Sequence, residues 1–404
     1  MQGMSATSSM VHRGSNADYT RYFDELKRAS DLFRSSTSKA LVIHHDDADG
    51  ICSAAIMLSA LESLGIQTGR VCIEKLHPTI LSKIHSLEYD AYVYTDIGSG
   101  KAELIEKLAG DKLVIILDHH DPVMVTKPNV MNLNPELYGF SGERDVSGAT
   151  ATYLFAEKLA DVKHTAWASV VGSAELGGSL TSLNRIPLEH AVEVGDVEIR
   201  ESAGRERYYV IPFGEAWDKL STMLTILGSV GYYADGPRRA VESCIKRSLD
   251  KNEVEVLEER RKQVFSRVMA NLRRYGINHG DKVQWFSVGD SFAGMGTKVL
   301  GTFTSILVYR GFIDQRKYLV GFMNFPRMIP ELGEVEGEWI KVSVRAPKLL
   351  TELINRGTMP PVSKLVVEAA DYVGGYGDGH STAASGLIPK GAEDYFLKRM
   401  EELI

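Results

Sequence analysis

The stretch ILDHHDP, Ile116 to Pro122, places Asp118, His119, His120 and Asp121 directly after an apolar run. Two further acid-bearing stretches precede it, HHDDADG at 44–50 and YTDIG at 94–98. Along an extended backbone, residues two apart point the same way, so His45, Asp47 and Asp49 converge while Asp46 and Ala48 face away. Convergent carboxylates repel, and desolvating them without compensation is costly. A divalent cation removes that cost by taking oxygen and imidazole ligands together. A mixed Asp/His set without cysteine favours manganese or magnesium over structural zinc, while its histidines admit catalytic zinc. Two such ions ~3.5–4 Å apart would activate a water and stabilise a phosphoryl group in an in-line displacement. An isolated aspartate is more often a helix cap or a loop residue. Three acid-bearing strand ends in one sheet reverse those odds.

Those residues need strands to carry them. ALVIHH, RVCIEKL, AYVYTDIG and KLVIILDHH read as β-strands, separated by helical stretches such as GICSAAIMLSALESLG and SGKAELIEKLAG. Asp49 is placed to cap the first of these helices. Strand and helix alternating in this way predict an α/β fold, a parallel sheet with helices on both faces. Its ligand site lies beyond the carboxyl ends of the strands. VSGATATYLFAEKLA continues the helical pattern, and the residues around Ile186 to Tyr209 mark the edge of the domain. A long amphipathic helix, DKNEVEVLEERRKQVFSRVMANLRRYG, then leads to a second alternation with strands KVQWFSV, KYLVGFMNF and WIKVSVRAP. The expected division is a flexible tail over 1–15, a catalytic domain over 16–190, a helical connecting region over 191–280 and a smaller α/β domain over 281–404. The active site is expected in the cleft between the lobes.

A chain of 404 residues is long enough for two cores. Its formal net charge of -7 excludes a uniformly basic nucleic-acid binder but not a local cationic groove. Cys52, Cys72 and Cys244 lack C-x-x-C spacing and read as buried apolar residues in a reducing, cytoplasmic setting. No run of ~20 apolar residues suggests a membrane span.

The three acidic motifs, in this order over ~80 residues, resemble those of the DHH phosphoesterase superfamily. Towards the C-terminus, KVSVRAP and GGYGDGHSTAASG are similar to the Ser-x-Arg and Gly-Gly-His elements of the DHH-associated domain. Within the superfamily, the HxDxDG form and the two-lobe length look most like the archaeal RecJ-like single-strand nucleases, relatives of a noncatalytic replicative-helicase subunit in eukaryotes. The resemblance implies that Asp47, Asp49, Asp96 and His119 ligate a pair of Mn2+ or Mg2+ ions. His45 stands where bacterial relatives often carry another acid and would ligate too. Asp118 would orient or ligate, and His120 would face the scissile phosphate as acid or electrostatic stabiliser. The family supplies a fourth-motif aspartate shortly after a Val-Gly pair. Here the segment reads VVGSAELGGSL, with Leu176 near that place and Glu175 one residue away as the substitute ligand. In the C-terminal run, Asp378 interrupts the glycines and Ser385 stands where a glycine is expected.

Arg345, Gly377, Gly379, His380 and Ser381 are the expected substrate-binding residues, the arginine as a fixed guanidinium for phosphate and the small residues for close backbone approach. The run reads either as N–H groups opening a helix or as a tight turn into the final strand. The arginine-rich helix face is interleaved with acids and reads as solvated. Tyr232 and Tyr233 read as base-stacking or as buried aromatics. Three functions follow. One is a metal-dependent exonuclease acting on single-stranded DNA or RNA. The second is a weakened or inactive member serving as a replisome scaffold with the replicative helicase and GINS. The third is a phosphoesterase of short oligonucleotides or cyclic dinucleotides.

Overall fold

The computed structural model describes residues 17–202 and 204–404, so the expected tail over 1–15 lies outside the described residues. The chain forms two compact units, each assembled from separate stretches. The first takes the residues up to Arg70, Glu88–Thr222 and Val241–Leu249; the second takes Val71–Leu87, Met223–Ala240 and Asp250–Ile404. Residues 191–280, read as a connecting region, are therefore shared between both units.

The first unit is built on a five-stranded sheet. Helix α1 (Tyr19–Ser36) leads into β1 (Lys39–His44), α2 (Ala48–Ser63) and β2 (Gln67–Cys72). β3 (Ala91–Thr95), β4 (Leu113–Leu117) and β5 (Val130–Asn132) follow, while helix α3 (Pro78–His85), which precedes β3 in sequence, belongs to the second unit. The strand order is β2-β1-β3-β4-β5, and β1/β3, β3/β4 and β4/β5 are parallel. Registers Val42↔Val93 and Val93↔Ile115 bring the strand ends level at one edge. β3 and β4 are buried throughout, as strands covered on both faces must be, which is why their sequences are continuous β-branched and aromatic runs rather than alternations. Helix α2 has almost no polar face, because α4 (Gly148–Leu159) and α5 (Ala166–Gly172) cover it.

In the second unit, α6 (Lys251–Tyr275) is the long helix read from the sequence, and two of its basic residues, Arg261 and Lys262, pair with its own Glu258. The sheet contains β6 (Val283–Ser287), β7 (Tyr318–Phe325), β8 (Trp339–Arg345), β9 (Tyr376–Gly379) and β10 (Ala383–Pro389). Its order is β9-β10-β8-β7-β6 with Asn278–His279 at the far edge. One face packs Val320, Val342 and Val344 against Leu365 and Val366 of α8 (Val362–Tyr372) and Phe396 of α9 (Glu393–Leu403). Helix α7 (Lys298–Leu307) lies on the other face. The run GGYGDGHSTAASG is the β9–β10 hairpin, closed by the His380 N–H donating to the Ala383 carbonyl at 2.8 Å. The tight-turn alternative is thus the one observed, and no helix opens there. Tyr232 is buried, its hydroxyl donating to the Cys72 carbonyl at 2.7 Å. Among the described residues, no helix is long and apolar enough to cross a membrane.

Candidate metal centre

The first acidic motif sits where β1 gives way to α2. Asp47, rather than Asp49, caps that helix by accepting from the Gly50 N–H at 3.1 Å. Asp49 lies in the first turn and reaches across to α4, accepting from the Gly148 N–H at 2.8 Å and the Ala149 N–H at 2.7 Å. A carboxylate at a helix N-terminus meets both unpaired donors and the positive end of the helix dipole. His45 Nδ1 lies 2.7 Å from Asp47 Oδ2. Because β1 ends at His44, the alternation expected beyond it does not hold. Asp46 turns inward, fully buried, with neither oxygen hydrogen-bonded among the described residues and His45 Nε2 at 3.3 Å.

Asp96 follows β3 with φ of 60°, a left-handed conformation unusual outside glycine. Its N–H donates to the Leu117 carbonyl at 2.8 Å, which ties the ends of β3 and β4 together. The carboxylate is 2 % exposed, and its Oδ1 has no hydrogen-bond partner among the described residues. Gly148 leaves room for it, since a Cβ there would stand 2.4 Å from that oxygen.

The DHH triplet follows β4. Asp118 accepts from the Ser99 N–H at 2.9 Å, the His119 N–H at 2.8 Å and the His120 N–H at 3.2 Å, and meets His120 Nδ1 at 2.7 Å. Burial alone would raise its pKa, but His120, His119 and these donors hold the carboxyl far below the usual range. Asp118 thus orients the loop from behind. His119 donates Nδ1–H to the Gly142 carbonyl at 2.7 Å, which leaves the Nε2 lone pair facing the acids, 3.4 Å from Asp96 Oδ1 and 3.6 Å from Asp49 Oδ2. His120 is the more open of the two, and its carbonyl accepts from Asn134 Nδ2 at 2.6 Å.

The ligand atoms of two triplets each lie within 4.8 Å of one another: His45, Asp47 and Asp96, and Asp96, His119 and His120. Asp96 is common to both. Burial, then Asp49 and Asp47, push the Asp96 carboxyl well above its ordinary value. Burial likewise, aided by Asp47 and opposed by His119, pushes Asp49 up to about 6. Both shifts share a leading cause, burial of the carboxylate, to which the neighbouring aspartates add. A divalent cation fits this donor set, with oxygen and imidazole ligands, no thiolate, and an orphaned carboxylate oxygen at the centre.

Of the residues read from the sequence, His45, Asp47, Asp49, Asp96, Asp118, His119 and His120 are gathered here. Glu175 belongs to neither triplet and lies exposed in the turn Ser173–Leu176. At Gly172, just before that turn, a Cβ would meet Asp49 Oδ1 at 2.6 Å. Arg345 and the glycine run belong to the second unit. The supporting groups, namely the Gly142 carbonyl, the Gly148 and Ala149 N–H groups and Ser99, were not legible as such. The one signal was the Ser147-Gly148 pair opening a helix, with Ser147 its N-cap.

The strand ends of this parallel sheet thus gather four aspartates and three histidines, a donor set suited to a divalent cation. Residues 39–173 match the DHH family, N-terminal domain. It is 23 % identical to an uncharacterized protein of Methanocaldococcus jannaschii over 90 % of this chain and 92 % of that one. Among solved structures it is similar to RecJ of Thermus thermophilus in complex with Mn2+, with a TM-score of 0.60 and 16 % identity over 94 % of this chain. That match spans 54 % of the Thermus protein, so this chain has about half its length. It is also similar to an exonuclease RecJ bound to manganese, with a TM-score of 0.60 and 17 % identity over 94 % of each chain. At such identities the likeness is one of fold.

Proposed function

We propose that this protein is a divalent-metal-dependent phosphodiesterase that hydrolyses single-stranded nucleic acid from an end. The observation that carries the reading is Asp96, a buried carboxylate shared by two triplets of ligand atoms, with one oxygen unbonded among the described residues. His45 and Asp47 on one side and His119 on the other would hold two Mn2+ or Mg2+ ions about it, with Asp49 beside His119. Ions bound there supply Lewis-acid polarisation of a phosphoryl oxygen and ionise a water at neutral pH.

The chain's own groups do the rest. Gly142 fixes the His119 tautomer so that Nε2 is the donor to a cation. Asp118 keeps the His120 imidazole oriented through Nδ1 and favours its protonated form, so Nε2 can donate to a phosphoryl or leaving oxygen. In the second unit, Arg345 meets only neutral oxygens among the described residues, which leaves its charge for a substrate phosphate. Its side chain touches Ser305, Ser343 and two backbone carbonyls. The hairpin residues Gly377, Gly379, His380 and Ser381 are the proposed companions of Arg345. The likeness to an exonuclease RecJ supports the same reading.

The test is Mn2+-dependent release of mononucleotides from end-labelled single-stranded DNA and RNA. Release is expected from the wild type and not from Asp118→Ala. Equal release by both, or none by the wild type, rejects the proposal. Faster turnover of dinucleotides than of long strands would replace it with a short-oligonucleotide phosphoesterase.

A further inference from the structure

The two positions at which the C-terminal run departs from the family pattern, Asp378 and Ser385, face each other directly across β9 and β10. Ser385 is in turn opposite Ser343 of β8. Directly paired residues share a face of the sheet, so Asp378, Ser385 and Ser343 form a polar row across three strands. Lys341 and Arg345, two positions either side of Ser343, lie on that same face. The opposite face is apolar core.

Three cations converge on this row. The Arg345 guanidinium bonds Ser305 Oγ at 2.8 Å, Ser343 Oγ at 3.1 Å, and the carbonyls of Val344 at 2.9 Å and Ala384 at 3.4 Å. Gly301 of α7 makes room for it, since a Cβ there would stand 2.9 Å from Nη2. Lys341, 4 % exposed, places Nζ 3.4 Å from Ser385 Oγ. The third cation is Lys75, whose Nζ lies 2.5 Å from Asp378 Oδ1. Lys75 is held in place from both sides. Its buried neighbour Glu74 accepts from the Thr297 N–H and, at 3.4 Å, from the Lys298 N–H at the start of α7. His77 packs against Trp339 of β8 at a tilt of 59°, with ring centroids 4.0 Å apart.

We propose that Lys75 is a phosphate-binding residue of this face and that Asp378 is its internal competitor. This rests on the reading that the Arg345 face takes the substrate phosphate. With no ligand present, the Asp378 carboxylate neutralises Lys75. A nucleotide phosphate takes Lys75 over in a charge-assisted hydrogen bond. The acid in place of the family's glycine therefore raises the affinity a ligand must have to be held.

The experiment is calorimetric titration of the full chain with thymidine 5′-monophosphate in EDTA, so that neither hydrolysis nor a metal contributes. Asp378→Asn is expected to bind at least about 5-fold more tightly than wild type. Adding Lys75→Met to it is expected to remove that gain, and Lys75→Gln is a second variant should the methionine disturb folding, which a thermal melt reports. If the double variant binds as tightly as Asp378→Asn, Lys75 is not a ligand and the proposal fails. If Asp378→Asn binds no more tightly than wild type, no competition exists and it fails equally. Arg345→Ala separates the two levels: binding unchanged by that substitution would reject the phosphate-binding face itself, and the Lys75 proposal with it.

Discussion

His119 and Gly142 are joined by a 2.7 Å hydrogen bond from Nδ1–H to a backbone carbonyl. That bond decides which ring nitrogen faces Asp49 and Asp96. Removal of His119 as alanine should lower Mn2+ affinity by about 10-fold or more, in line with the loss of an oriented imidazole ligand. Calorimetric Mn2+ binding checks it, and an unchanged affinity would remove His119 from the centre.

Because Asp96 is the member common to both triplets, Asp96→Ala should impair both sites together. Wild type is expected to bind two Mn2+ ions and the variant none tightly. A variant that still binds two would show that Asp96 bridges nothing.

Gly148→Ala adds a single methyl group 2.4 Å from Asp96 Oδ1, with no alternative position for a carboxylate held by a left-handed backbone. The expected result is weakened Mn2+ binding and a loss of stability of roughly 1–3 kcal/mol from overpacking. Thermal melting and Mn2+ titration together check it. Wild-type values for both would mean that Asp96 yields without consequence.

Glu175 is exposed and outside both triplets, so Glu175→Gln should change Mn2+ stoichiometry not at all and turnover by less than about 3-fold, the scale of a surface substitution. A fall of an order of magnitude in turnover, or the loss of one ion, would bring Glu175 into the centre.

Burial lowers the His77 pKa to about 4, against an ordinary value of 6.5. The neutral ring is therefore the form that the fold accepts, and the unfolded chain binds the proton first. Stability due to this group is full above pH 6.5 and declines as pH falls towards 4. Melting temperature should drop across that window more steeply for wild type than for His77→Gln. Parallel profiles would show that His77 does not contribute.

The gathering of these acids and histidines was legible because they lie at strand ends in three short motifs, and strand ends in a parallel sheet meet at one edge. What failed was local geometry. Treating HHDDADG as extended placed Asp46 outward and gave the helix cap to Asp49. The strand in fact stops at His44, so Asp47 caps α2 and Asp49 is released to hold the start of α4. The Gly142 carbonyl could not have been foreseen, since any backbone group can accept a hydrogen bond and only the tertiary fold selects one. The C-terminal run illustrates a different limit: the family resemblance marked Asp378 and Ser385 as irregularities, but only strand register makes them partners.

Residues 71–87, running from the last two residues of β2 towards β3, are flanked in sequence by the first unit yet belong to the second. Glu74 occupies the start of α7, and Lys75 reaches the final hairpin. A recombinant fragment beginning at Asp250 would therefore lack the peptide that covers the start of α7 and pairs with Asp378. Neither unit corresponds to a contiguous stretch of gene, so neither can be shuffled, truncated or grafted as an independent cassette.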